Sequence, residues 1–193
     1  MSVIAFAGKQ TIGTTGTAQP VFGTKTTAAT SPTYDQFAGN VTGANPSMTT
    51  LTVSSTTGFS KGNVVVVGTA TQLANAPFSV GTVFSIASST SMTVQGLTQS
   101  VTSGAYVILN EAAAAVTIIP IVGNTAVLNV GLASTVTATD SSLIYVIPNP
   151  TSTTYSYNVF HAETADKSLL YNTSNLWIEG TATDAFVASF VQV

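Results

Sequence analysis

The sequence has no cysteine and no arginine, a single histidine, and charged residues at only 6%, against a usual share of about 25%. Each shortage excludes something. Without cysteine there is no disulfide framework. Four lysines (Lys9, Lys25, Lys61 and Lys167) cannot build a patch that neutralises nucleic-acid phosphates, so nucleic acid is not an expected partner. The longest apolar stretch, Ala112–Val122, is interrupted by Thr117 and Pro120. It falls short of the roughly 20 residues a spanning helix needs, so no membrane is expected either. The segment Met1–Lys9 has no basic region ahead of its short apolar run, which argues against an export signal. Without secretion, the glycosylation triplets at Asn40 and Asn172 carry little meaning. Disorder is opposed by a mean hydropathy of +0.42 and a net charge of only −3, since disordered chains are poor in apolar residues and rich in net charge.

What is present is apolar and hydroxylated. The chain has 193 residues, 45% of them hydrophobic, enough for one ordinary core or two small ones. It also has 34 Thr and 21 Ser. Thr and Val are β-branched and fit a pleated surface. Thr can also face solvent from a strand without carrying charge. Apolar positions alternate or come in short runs bounded by Gly, Asn, Pro and Ser, which is the pattern of strands. Strands are expected around Val3–Phe6 and Ala18–Phe22, then at Thr49–Ser54, Asn63–Val67, Gly81–Ala87, Ser91–Val94 and Ala105–Leu109. A second series covers Val116–Ile121, Ala126–Val130, Leu143–Ile147, Thr154–Phe160, Leu176–Gly180 and Phe186–Val191. Residues 31–47, with Pro32, Gly39, Gly43 and Pro46, read as a loop or linker. The alanine run Ala112–Ala115 is the best short helical connector, because Ala has the highest helix propensity. Residues 161–172 have room for one helical turn.

Two groups of motifs carry a resemblance. Thr56-Thr57-Gly58-Phe59-Ser60-Lys61-Gly62-Asn63-Val64-Val65, between two strands, resembles a strand–turn–strand pattern common in structural proteins of tailed bacteriophages. There Gly58 and Gly62 would permit tight turns and Phe59 would plug a small barrel. Gly123-Asn124-Thr125-Ala126-Val127-Leu128-Asn129-Val130-Gly131 resembles a hairpin of phage head-decoration proteins, although Ala126 and Asn129 replace its usual Gly and Tyr. Asn175-Leu176-Trp177-Ile178-Glu179-Gly180-Thr181-Ala182-Thr183-Asp184 resembles their closing hairpin, and Thr17–Thr24 their opening strand. The resemblance implies an all-β chain: a jelly-roll-like β-sandwich from residues 1–40 plus 111–193, with a small β-barrel, residues 41–110, inserted into it. Exposed loops tolerate such insertions; two domains in series remain the alternative. It implies a non-enzymatic capsid decoration or cement protein on the outside of the virion, assembled in the host cytoplasm. Its partners would be the major capsid protein and further copies of itself, a trimer being favoured by the symmetry of such lattices.

Sites for chemistry are few. His161, Glu163 and Asp166 form the densest titratable cluster. A metal site needs three or four convergent ligands, and one His without Cys reads better as a solvated loop. Asp35, Asp140 and Asp184 sit beside Gly, Ser or Thr and read as turn or cap residues. Ser nucleophiles lack a base other than His161, and no Gly-x-Ser-x-Gly elbow occurs. The Gly58–Gly62 stretch lacks phosphate-loop spacing. No catalytic, cofactor-binding or metal-binding residue is therefore expected, and no cofactor. The competing reading is a receptor- or glycan-binding module of a tail or fibre, with Trp177 and Tyr155, Tyr157 and Tyr171 as stacking aromatics.

Overall fold

The computed structural model describes residues 8–29, 48–75, 78–149, 160–163 and 171–192. The strand expected at Val3–Phe6, the loop 31–47 and most of Thr154–Phe160 lie outside these residues. The chain is all-β and divides into two compact units, Met1–Phe22 with Glu111–Val193, and Gly23–Asn110. The division at Phe22 differs from the boundary expected near residue 40. The reason is strand pairing: Gly23–Ala29 hydrogen-bonds to strands of the second unit on both sides.

The first unit opens with β1 (Gly8–Thr11) and β2 (Gln19–Pro20). The second unit follows with β3 (Gly23–Ala29), β4 (Met48–Val53), β5 (Val64–Gly68), helix α1 (Ala70–Asn75), β6 (Ser79–Ser88), β7 (Ser91–Gln95) and β8 (Tyr106–Leu109). Its six strands close into a barrel in the order β3-β4-β7-β6-β5-β8. Closure removes free sheet edges, and alternate residues such as Leu51, Val53, Val83, Met92 and Val94 are fully buried. The first and last strands are antiparallel neighbours, with Gly23 opposite Ile108, so the chain enters and leaves the barrel at adjacent points. Gly58 and Gly62 adopt φ of 86° and 92°, and Phe59 is buried. Helix α1 was not foreshadowed by hydrophobic periodicity. Its start is a capping box: the Gln72 amide donates to Thr69 Oγ1 at 3.2 Å, and the Thr69 amide donates to Gln72 Oε1 at 2.8 Å.

The chain then returns to the first unit with β9 (Ala112–Pro120), β10 (Leu128–Gly131), β11 (Leu143–Ile147), β12 (Phe160–Glu163), β13 (Tyr171–Asn172), β14 (Trp177–Glu179) and β15 (Ala185–Gln192). Two sheets result, β1-β15-β9-β12, with the short β13 also on β9, and β11-β10-β14-β2. With the eight strands other than β13 counted in chain order, the sheets read 1-8-3-6 and 5-4-7-2. Strand 1 pairs with 8, 2 with 7, 3 with 6 and 4 with 5, all antiparallel. This is one long antiparallel ribbon. Rolling it up adds the pairs 8–3 and 7–4, which are β15–β9 and β14–β10. That topology is a jelly roll.

The core lies between the two sheets. Val116, Ile118, Phe186, Ala188 and Phe190 bury from one, and Leu128, Val130, Ile147 and Ile178 from the other. Phe22 and Phe190 meet edge to face at 5.3 Å between centroids, and Tyr145 approaches Phe160 at 5.7 Å. The alanine run is not a helical connector: Ala112–Ala115 starts β9. Four residues cannot sustain a helix alone. Here they continue into the β-branched Val116–Ile119 and pair with β12, β13 and β15. Of the stretch 161–172, residues 161–163 and 171–172 are strand and 164–170 lie outside the described residues; a short 3-10 turn follows at Thr173–Asn175.

Candidate functional site

Among the described residues, rolling up the ribbon brings three complete loops of the first unit to one end: 12–18 between β1 and β2, 121–127 between β9 and β10, and 180–184 between β14 and β15. The loops are tied to one another by hydrogen bonds. The Gly16 amide donates to the Gly180 carbonyl at 3.3 Å, and the Ala182 amide to Thr15 Oγ1 at 2.9 Å. The Ile12 amide donates to the Asp184 carbonyl at 2.7 Å, and the Thr183 amide to the Ile12 carbonyl at 3.0 Å.

Asp184 is the centre of this cluster. It is 2% exposed. Oδ1 accepts from the Thr125 amide at 2.7 Å and from Thr125 Oγ1 at 3.0 Å, and Oδ2 accepts from the Ala126 amide at 3.1 Å. A buried carboxylate needs such donors in place of water. Beside it, Asn124 donates from Nδ2 to the Ala185 carbonyl at 3.0 Å and accepts from the Ala185 amide at 2.8 Å. Two side chains therefore fix the turn 123–126 onto the start of β15. Gly123 supplies the positive φ that this turn needs, 101°. Thr183 has φ of 78°, the only described residue other than glycine in that region. For a β-branched residue this is strained, and it persists only where the surroundings dictate it.

The locked turn presents apolar side chains to solvent at both ends: Val122 is 58% exposed and Val127 40%. Among the described residues, Val122 has the highest exposure of the large exposed hydrophobics. Across all three loops the only charged residue is Asp184, and there is no aromatic. The rest of the exposed surface is threonine, alanine and glycine.

The titratable residues singled out from sequence are placed as follows among the described residues. His161 lies exposed on β12, its Nδ1 2.8 Å from Thr117 Oγ1 on β9. Glu163 is opposite Ala115 in the same pairing, and Asp166 and Asp35 lie outside the described residues. Among the described residues no three of His, Cys, Asp and Glu come together. Asp140 makes a turn, accepting from the Ser142 amide at 2.7 Å. The Gly58–Gly62 stretch is a turn in which the Ser60 amide donates to Asn63 Oδ1 at 2.6 Å, and Lys61 Nζ lies 5.4 Å from the centroid of the Phe84 ring. Trp177 is 3% exposed. It is opposite Gly131, whose missing side chain admits Val136: a Cβ there would lie 2.4 Å from Val136 Cγ2. A buried indole offers no stacking face to a sugar. Tyr155 and Tyr157 lie outside the described residues, and Tyr171 contributes the backbone pairing of β13.

The chain has no match among protein-family models, curated proteins or solved structures. Among the described residues no helix is long and apolar enough to cross a membrane. Sequence reasoning treated Asp184 as an ordinary turn residue and passed over Val122 and Val127. The available signal was the pairing of two resembling motifs, Gly123-Asn124-Thr125 and Thr183-Asp184, whose polar residues now prove to be hydrogen-bond partners.

Proposed function

We propose that this chain is a structural protein of a tailed-phage virion, a decoration or cement subunit that binds the outside of the assembled capsid and stabilises it without chemistry. The observation that carries the reading is the strand order of the first unit. The jelly roll is an architecture that recurs in viral capsid and lectin domains, and here it accompanies a sequence with 6% charge. A free soluble monomer ordinarily keeps more charge to prevent association. A neutral surface with exposed Val122, Val127, Ile119 and Leu132 suits a protein that works in many packed copies. The lectin-like alternative rests on aromatic stacking, and Trp177 is buried.

The mechanism is mass action. A subunit that binds the closed shell and not its separated parts stabilises the shell by RT ln(1 + [L]/Kd) per site, about 2.7 kcal/mol at roughly a hundred times Kd. The partner is the major capsid protein, and self-association, as a trimer at three-fold positions, would multiply the contacts. Particles of the phage that encodes the chain provide the test. Their proteins, separated on a denaturing gel, should include this chain in a copy number comparable to that of the capsid subunit. Its absence, or a handful of copies per particle, would reject the cement role.

A further inference from the structure

We infer that the end of the sandwich formed by loops 12–18, 121–127 and 180–184 is the surface that docks on the capsid, and that it recognises an uncharged protein surface with a recess for Val122. The inference rests on the capsid reading above and names the contact within it.

Three observations support it. First, these loops are locked. Loops on protein surfaces are ordinarily the mobile part of a fold. Here Asp184, Asn124 and Thr15 fasten them together, and a strained Thr183 is held at φ 78°. Residues held in sparsely populated conformations cluster where a surface is preorganised for a ligand, because ordering done in advance is not a cost of binding. Second, the locked turn carries exposed valines on both sides, including the most exposed large hydrophobic among the described residues. Third, the composition selects the partner class. With no lysine, arginine or exposed acid on these loops, neither phosphates nor a charged lattice can be read. These three loops themselves carry no aromatic residue on which a sugar ring could stack. What remains is apolar contact and hydrogen bonding by threonine hydroxyls and backbone, which fits a neutral protein surface. Such binding is insensitive to salt, since screening acts on charges.

The test is co-sedimentation of purified chain with assembled capsid shells, using the wild type, Val122→Asp, and Leu132→Asp. Leu132 is exposed just past Gly131, at the end of β10 opposite to the one that meets loop 121–127. Fluorescence of Trp177 checks that each variant is folded. The wild type should bind equally at low and high salt. Val122→Asp should weaken binding about tenfold or more, the effect of losing one good apolar anchor, and Leu132→Asp should leave it unchanged. If the wild type binds shells and Val122→Asp binds as well, the docking inference is wrong while the capsid reading stands. The same holds if Leu132→Asp is the variant that fails. If the wild type does not bind shells, the capsid reading falls, and this inference with it. Binding to immobilised glycans that Val122→Asp abolishes would place a sugar, not a protein, on these loops.

Discussion

At the residue scale, Asp184 shows how a single carboxylate can organise a surface. Its three donors come from Thr125 and Ala126. Asp184→Ala leaves the part-buried amides of Thr125 and Ala126 without their carboxylate partner, and hydrogen bonds to a charged group are worth more than neutral ones. Chemical denaturation should show a loss of about 3 kcal/mol. Thr183→Gly acts in the opposite direction. It removes the strain at φ 78°, offset in part by glycine's greater chain entropy, for a net gain of about 1 kcal/mol. A fall in stability would mean that the Thr183 side chain holds more than its backbone conformation costs. Tyr106 gives a pH dependence. Burial raises its hydroxyl pKa above the ordinary 10.0. A group whose pKa is raised on folding contributes stability at pH below its unfolded value and loses it as pH rises through the folded one. Unfolding measured above pH 10 should therefore show an alkaline decline that is reduced in Tyr106→Phe. These residue roles were only partly legible in the sequence. Aspartate beside threonine signals a turn, but nothing local says that a carboxylate will be buried against a loop 58 residues earlier.

At the scale of elements, the period-two patterns located most strands, because each has one buried and one open face. The alanine run misled for an equally physical reason. Helix propensity is a weak prior, and Ala112–Ala115 sits between partners that a helix could not satisfy. Helix α1 was overlooked because it buries no residue and so shows no apolar stripe. Its Thr69-x-x-Gln72 box was nonetheless readable. Gly131 illustrates an element held together by a missing side chain. Gly131→Ala would bring a Cβ to 2.4 Å from Val136 Cγ2 and 2.8 Å from the Ser142 carbonyl oxygen. Overpacking of this kind costs about 2 kcal/mol. Thermal unfolding should register that loss, and the Trp177 emission should shift to the red as the adjacent packing loosens. An unchanged midpoint would show that the 132–142 loop gives way freely.

At the scale of the whole molecule, the strand order follows from pairings far apart in sequence. No local pattern states that β1 lies beside β15 or that β2 lies beside β14. The placement of Gly23–Ala29 in the barrel was hidden for the same reason: a threonine-rich strand suits either unit, and only its partners decide. The scarcity of charge is plain in the composition, and the structure gives it a location. Three loops end on threonine hydroxyls and bare valines, with their one acid turned inward. The most direct test of a cement function is to mix purified chain with closed capsid shells and, separately, with unassembled capsid subunits, and to measure bound copies across a range of salt. Saturable binding to shells, none to free subunits and no change with salt is the predicted result. Absence of binding, equal binding to free subunits, or loss of binding at moderate salt would contradict it.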